Sequence, residues 1–293
     1  MGNLKEIRIR IASVVSTQKI TSAMKLVSAA KLRKAQNAIV GLRPYSTKLD
    51  DILGTLATTV ESPEQLSFFK VRATENVVLV VFTANRGLCG AFNANVIKET
   101  HHLIREKYAQ QNKAGNLSVV CIGRKGYEQL NKNYTIRECN EQLIDNPAFN
   151  DLSVITNQLM EDFLNKKIDR IDIVSNRFIN PATQKIELSQ FLPIQSLNVK
   201  TAEKERQYDY IFEPSKDELL EELIPKVLRI KMYKSLIDSI ASEHGARMTS
   251  MAKATDNAME MLKDLKLKYN NARQSSITTE LLEIISGANA LDN

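Results

Sequence analysis

Chemistry needs reactive groups at compatible spacing, and few stretches of this sequence offer them. His101 and His102 are neighbours, so on a helix their side chains point about 100° apart and cannot grip one metal ion together. His244 stands alone in a helical segment. Cys89, Cys121 and Cys139 are odd in number, unclustered and without CxxC spacing, which indicates neither a disulfide framework nor a zinc site. Asp217, Glu218, Glu221 and Glu222 crowd a predicted helix start, where carboxylates complement the helix dipole before they do any acid–base work. The turn Asn85-Arg86-Gly87-Leu88-Cys89-Gly90 follows a buried apolar run and precedes a helix, the place of a phosphate loop in dinucleotide folds. It has neither GxGxxG nor GxxxxGK followed by Ser or Thr, and no acidic residue closes the next strand to hold a ribose. It reads as a tight structural turn. The expectation is a chain with no catalytic residue, no cofactor and no metal.

Charge is more informative than any motif. The chain has 40 Lys and Arg against 34 Asp and Glu, a net charge of +6, which suggests an acidic partner. Between Glu6 and Asp50 there is no acidic residue, while Arg8, Arg10, Lys19, Lys25, Lys31, Arg33, Lys34, Arg43 and Lys48 are all basic. A solvated helix usually mixes both signs for i,i+4 pairing. A single sign points to an acidic surround, with an ordinary solvated face as the competing reading.

The elements that carry these residues follow from hydrophobic period. Leu4, Ile7, Ile11, Val14, Gln18 and Thr21 step by 3 and 4, a coiled-coil seam, and Ala23, Met24, Val27, Ala30, Ala35 and Ala38 are expected to continue it as a face of small side chains. A continuous helix from Leu4 to Ala57 would run roughly 80 Å at about 1.5 Å per residue, and such length needs a partner. At the other end Met248, Met251, Thr255, Ala258, Leu262, Leu265, Tyr269, Ala272, Ser276 and Thr279 keep the same spacing. That second helix begins after Ser215-Lys216-Asp217-Glu218, a capping-box pattern, and Pro225 should kink it. Between the two, Val77–Phe82, Leu117–Ile122 and Ile171–Val174 are short β-branched runs that read as buried strands. Helical stretches at Asn95–Gln110, Lys125–Asn131 and Asp151–Lys167 separate them. Strand–helix alternation implies a mostly parallel sheet, with Lys185–Phe191 and Tyr208–Phe212 as further edge strands. The predicted fold is α/β: a long antiparallel coiled coil of the terminal helices, residues 1–58 and 208–293, with a Rossmann-like domain at 72–195 inserted between them.

Two segments resemble a known family. IRIRIASVVSTQKITSAMKLVSAAKLRKAQ, from Ile7 to Gln36, resembles the N-terminal helix of the gamma subunit of F-type ATP synthases. The run from Ala241 to Leu291, with ITTELLEIISGANA at Ile277–Ala290, resembles its other helix. Arg86–Gly90, Ile173–Asn180 and Asp209–Pro214 match in between, so the resemblance spans the chain in order. Asn85 stands where the family often has an acidic residue, and Ala91 where it often has glycine; both concern the turn alone.

The resemblance implies a rotor shaft inside an alpha3beta3 ring, seated on a ring of c subunits beside epsilon, with the catalytic sites on beta. It places Met24, Lys25 and Arg247 against an acidic lever of beta. Arg273, Gln274, Thr278, Glu280 and Glu283 would meet the upper loops of the alpha/beta ring. Arg43, Tyr45, Tyr208, Tyr210 and Glu213 would contact the c ring and epsilon. It implies a protein peripheral to the cytoplasmic face of a bacterial inner membrane; no import presequence is visible, and the cysteine-bearing insertion of chloroplast relatives is absent. Met1-Gly2-Asn3 is not a myristoylation signal, because Glu6 occupies the position that wants Ser or Thr. Competing readings are a basic nucleic-acid-binding coiled coil, which lacks the interleaved aromatics of single-strand binders, and a nucleotide-using enzyme, which lacks a site. On the lever contact that the resemblance implies, Met24→Lys adds a charge beside the beta lever and impairs coupling more than assembly. Unchanged proton pumping per ATP in membranes carrying the variant would count against that contact.

Overall fold

The computed structural model describes residues 2–59, 67–194 and 216–291. The chain forms two compact units, one from Met1–Ala29 with Arg247–Asn293 and one from Ala30–Ala246. Helices α1 (Gly2–Thr59) and α7 (Lys216–Leu291) contribute to both. Neither Pro44 nor Pro225 ends its helix.

In the first unit the two helices pair through the predicted seam. Leu4, Ile7, Ile11, Val14, Gln18 and Thr21 on α1 are partly or fully buried, as are Met248, Met251, Thr255, Ala258, Leu262, Leu265, Tyr269, Ala272 and Ser276 on α7. The Oγ1 atoms of Thr21 and Thr255 lie 2.8 Å apart, and Arg8 donates from Nη2 to the Tyr269 hydroxyl at 2.9 Å. Moving from 8 to 21 on one helix moves from 269 to 255 on the other, so the pair is antiparallel. Polar contacts inside a seam fix its register at some cost in burial.

The expected small-residue face of α1 is corrected at several positions. Ala23, Val27, Ala30 and Ala38 are exposed, with Val27 at 58%. The buried positions are Thr21 and Ser28 in the first unit, and Leu32, Ala35, Ile39, Ser46 and Leu53 in the second. Strict stepping by 3 and 4 selects them, so Ser28 is buried where a more apolar neighbour, Val27, is not. Register outranks side-chain polarity here because a helix face is set by angle.

The second unit holds a five-stranded sheet in the order β3-β2-β1-β4-β5. Its strands are β1 (Val77–Phe82), β2 (Leu117–Ile122), β3 (Thr135–Asn140), β4 (Arg170–Phe178) and β5 (Gln184–Leu192). The first four are parallel and β5 is antiparallel to β4. Helices α2 (Phe92–Lys107), α3 (Ala109–Lys113), α4 (Arg124–Leu130), α5 (Gln142–Asp145) and α6 (Phe149–Leu164) connect them. All of β1 is buried, which requires cover on both faces and explains its unbroken β-branched run. On one face Val77, Leu79 and Val81 pack with Val119 and Cys121 of β2 and with Val96, Leu103 and Ile104 of α2.

Strand β3 escapes the sequence reading because Thr135-Ile136-Arg137-Glu138-Cys139-Asn140 is an edge strand with alternating exposure. The Tyr208–Phe212 strand, the Ser215–Glu218 cap, Tyr208, Tyr210 and Glu213 fall outside the described residues or side chains. Two buried carboxylates tie the layers together. Asp172 on β4 accepts from Lys107 at 3.0 Å, from Arg170 Nε at 3.1 Å and from the Tyr108 hydroxyl. Asp162 on α6 meets Arg137 of β3, and Lys167 at 3.2 Å. A buried charge is tolerated when its lone pairs are filled this way.

The carboxyl ends of β1 and β2 interleave closely. Thr83 N donates to Ile122 O at 2.8 Å, the Thr83 hydroxyl donates to Gly123 O at 3.2 Å, and Gly126 N donates to Thr83 Oγ1 at 2.8 Å. Gly123 has φ of +110°, and a Cβ there would stand 2.0 Å from Thr83 O. Gly123→Ala should therefore destabilise this unit by at least about 3 kcal/mol, read as a lowered urea midpoint at constant slope.

Candidate functional site

A doubly wound sheet offers one default ligand site, the crevice at the carboxyl ends of its strands where the winding direction reverses. The order β3-β2-β1-β4 puts that point between β1 and β4, beside the turn that was the sequence's best phosphate-loop candidate. The crevice is occupied by protein. Ala84 and Cys89 of the turn and Phe92 of α2 form an apolar cluster with Ala246 of α7. On the β4 side Asn176 N donates to Ser239 Oγ of α7 at 3.1 Å. Gly245 lies against the β4–β5 turn so closely that a Cβ would be 3.2 Å from Pro181 Cα. A side chain at this crossing would require the β4–β5 turn to give by a few tenths of an ångström.

The backbone donors nearby are used too. In the first turn of α4, Arg124 N donates to Asn85 Oδ1 at 3.1 Å, Lys125 N to Ala84 O at 3.0 Å and Gly126 N to Thr83 Oγ1 at 2.8 Å. Asn85 also donates from Nδ2 to Glu141 O and Asp145 Oδ2, at 2.8 and 2.9 Å. The turn itself is held by Asn93, which accepts from Ala84 N at 2.9 Å and donates to Cys89 Sγ at 3.3 Å. Leu88 and Gly90 take left-handed φ of 62° and 60°, the conformation of a tight turn. Within it the Cys89 carbonyl accepts from Phe92 N at 3.3 Å and the Arg86 carbonyl from Cys89 Sγ at 3.8 Å.

No cluster of metal-binding side chains occurs among the described residues. His101 Nδ1 lies 2.7 Å from the Tyr134 hydroxyl, and burial, with Arg105 nearby, lowers its pKa below the usual histidine range. His102 faces Glu106 at 3.0 Å instead, so the adjacent histidines serve different partners. Burial and the neighbouring Cys139 push the Cys121 thiol up to about 12, the behaviour of an inert core cysteine. Surface depressions of about 470 and 550 Å³ lie along α6 and in the α1–α7 groove of the first unit. Neither is at the crevice.

The surfaces left for function are on the helices. Lys25 is exposed and Met24 half-buried, while the basic side chains from Arg8 to Lys48 are all exposed. Extending the Arg8–Tyr269 register sets the start of α1 opposite roughly residue 275, since both helices rise about 1.5 Å per residue. Consistently, Ser276 is half-covered and Thr279 exposed. Beyond that point α7 carries Thr278, Glu280 and Glu283, with Arg273 and Gln274 exposed just before it. Ile277, Leu281, Leu282, Ile284 and Ile285 are also exposed, at 48–68%. These apolar residues were missed in the sequence, yet the signal was there: Ile277, Leu281 and Ile284 step by 4 and 3 off the seam positions Ser276 and Thr279. A stripe that cannot face α1 must face something else.

Two candidates differ from the rest. Arg247 is 8% exposed, buried by the chain itself. Arg43 is half-exposed and already bonded internally, donating from Nη2 to Phe178 O at 3.3 Å and lying 3.6 Å from Asp238. Tyr45 is 54% exposed.

A family model described as ATP synthase matches residues 3–291. The ATP synthase gamma chain of Christiangramia forsetii is 48% identical over 292 residues, covering 100% of both chains. The chain belongs to the ATP synthase gamma chain family. The corresponding chain of Geobacter metallireducens is 43% identical over 291 residues, covering 99% of each. Among solved structures, a chain of the Euglena gracilis mitochondrial ATP synthase in its OSCP/F1/c-ring assembly superposes with a TM-score of 0.67 at 20% identity, over 99% of this chain and 95% of that one. A chain of the Tetrahymena thermophila central stalk and c ring gives 0.58 at 20% identity, over 80% of this chain and 99% of its own. These likenesses extend the fold of this family to mitochondrial relatives. Within the family, the filled crevice sets an expectation for the isolated chain: calorimetric titration with ATP or NAD should give no saturable binding up to millimolar ligand, and a Kd below about 1 mM would mean the crevice opens.

Proposed function

We propose that this chain is the central-stalk rotor of an F-type ATP synthase, turning within an alpha3beta3 ring and coupling ion flow through the c ring to ATP synthesis and hydrolysis on beta. The observation that carries this reading is an antiparallel helix pair in which α1 is basic and acid-free from Ile7 to Leu49 and α7 ends in an uncovered apolar stripe. A lone helix exposing that stripe is stable in water only at a cost, so a surrounding sleeve of protein is its natural environment. Membership of the gamma chain family supplies the identity of the sleeve.

Coupling by a shaft needs no bond chemistry in the shaft. It needs faces that differ around the axis, so that each beta meets a different surface at each angle and its site changes nucleotide affinity accordingly. We assign the lever contact to Met24 and Lys25, and the upper-loop contacts to Arg273, Gln274, Thr278, Glu280 and Glu283. The apolar Ile277 and Leu281 lie between those upper-loop positions, and Ile284 directly follows Glu283. Arg273 offers a planar donor fork for carboxylates, and Gln274 both donates and accepts. For Arg247 the assignment takes a different form: its burial suits a residue that shapes the shaft at the lever position. Arg43, Tyr45, Tyr208, Tyr210 and Glu213 form the base contacts with c and epsilon. The chain has no catalytic site of its own in this reading, and it works at the cytoplasmic face of a bacterial inner membrane. It is held there by its partners, in keeping with the lack, among the described residues, of a helix long and apolar enough to cross a bilayer.

Mixing the chain with purified alpha and beta subunits should yield an ATP-hydrolysing complex with one copy of it. Recovery of no such complex, or of one with several copies, would sink the rotor reading. A tight, salt-sensitive DNA complex formed instead would point to the nucleic-acid alternative.

A further inference from the structure

Asp238 is an anomaly among the buried carboxylates. Asp172 and Asp162 are each saturated by cationic or hydroxyl donors, whereas Asp238 Oδ1 has no hydrogen-bond partner among the described residues. Its side chain is 8% exposed, and the group facing that oxygen is Arg43 Nη2 at 3.6 Å. Burial pushes its carboxyl above the usual range and Glu187 of β5 adds to this, while Arg43, Lys234 of α7 and Arg177 of β4 pull it down. Isolating a carboxylate this way is expensive unless a cation stays beside it.

Arg43 is held from a second direction. Its Nη2 donates to the carbonyl of Phe178, at the carboxyl end of β4. One guanidinium nitrogen, Nη2, thus donates to a carbonyl and faces a carboxylate, while the side chain remains 47% exposed. A guanidinium carries five N–H donors in a rigid plane, so anchoring one nitrogen orients the others. Its surroundings are basic and apolar: Arg177 and Lys185 are cross-strand partners, both exposed. Val40, one turn before Arg43, and Ile179, next to Phe178, are exposed at 71% and 54%.

The geometry points to Asp238 as a positioning residue that pre-orients Arg43 to receive an acidic group of the c ring at the base. Pre-orientation raises affinity because the side-chain entropy is lost during folding and not during docking. The inference rests on the assignment of Arg43 as a base contact.

The test uses assembled F1 complexes carrying the variant chain, rebound to membranes stripped of F1, with the concentration for half-rebinding as the readout at several salt concentrations. Arg43→Gln and Asp238→Asn should each weaken rebinding, on the order of tenfold at low salt. The double variant should be no weaker than either single one, because both remove the same oriented donor. Arg43→Lys should also lose affinity, since an ammonium keeps the charge but lacks the fork. Native rebinding by Asp238→Asn beside weakened Arg43→Gln would overturn the positioning role, as would strictly additive losses. Native rebinding by Arg43→Gln would instead overturn the base assignment itself. If Asp238→Asn fails to assemble, Arg43→Lys carries the test, and native-like rebinding by it rejects the oriented fork.

Discussion

From Leu236 to Ala246 every residue of α7 is buried, so this helix has no solvent face for nearly three turns. Such a segment is usually apolar throughout, yet here it contains Asp238, Ser239, Ser242, Glu243 and His244. Two of these polar groups face named partners. Ser239 receives the amide of Asn176, and Asp238 faces Arg43. The demand for these partners ties α7 to the ends of β4 and to α1, and it also closes the crevice that the sheet would otherwise offer a nucleotide. A sheet topology shared with dinucleotide-binding enzymes thereby becomes a mount for a helix.

The helix pair of the first unit answers a different requirement. Its seam uses Thr21, Ser28, Thr255, Ala258 and Ala272 among Leu, Ile and Met. Small side chains permit close approach, and the Thr21–Thr255 bond gives the pair one favoured register. A seam of large aliphatic residues would bury more apolar surface but would tolerate sliding by a heptad. For a part that transmits torque, a defined register is worth more than added area.

Much of this was legible in the sequence because it depends on local period. The α7 seam is the clearest case: from Met248 to Ser276 every position selected by 3 and 4 stepping is covered. Strands β1 and β2 were legible because burial on both faces demands unbroken β-branched runs. Edge strand β3 was not, since its polar residues, Thr135, Arg137 and Glu138 among them, dilute the apolar signal. On α1 the weight given to alanine and valine at Ala23 and Val27 overrode angular register and selected the wrong face. The burial of Arg247, the occupation of the crevice by Ala246 and the Arg43–Asp238 pair join residues far apart in the chain, which no local pattern encodes. The surface contacts of α7 were drawn from resemblance, and the apolar stripe among them emerges once the end of α1 is located.

The antiparallel seam also sets an order of events during synthesis. Arg8 and Tyr269 are 261 residues apart, and Thr21 and Thr255 are 234 apart. A ribosome adding about 5–20 residues per second leaves α1 without its partner for roughly 13–50 seconds, long after the α/β domain between them has emerged. The first helix made is therefore the last to be completed, and its seam of Ile7, Ile11 and Val14 stays open until the end of translation. Quality control of such a chain has a natural checkpoint in whether its two ends have met.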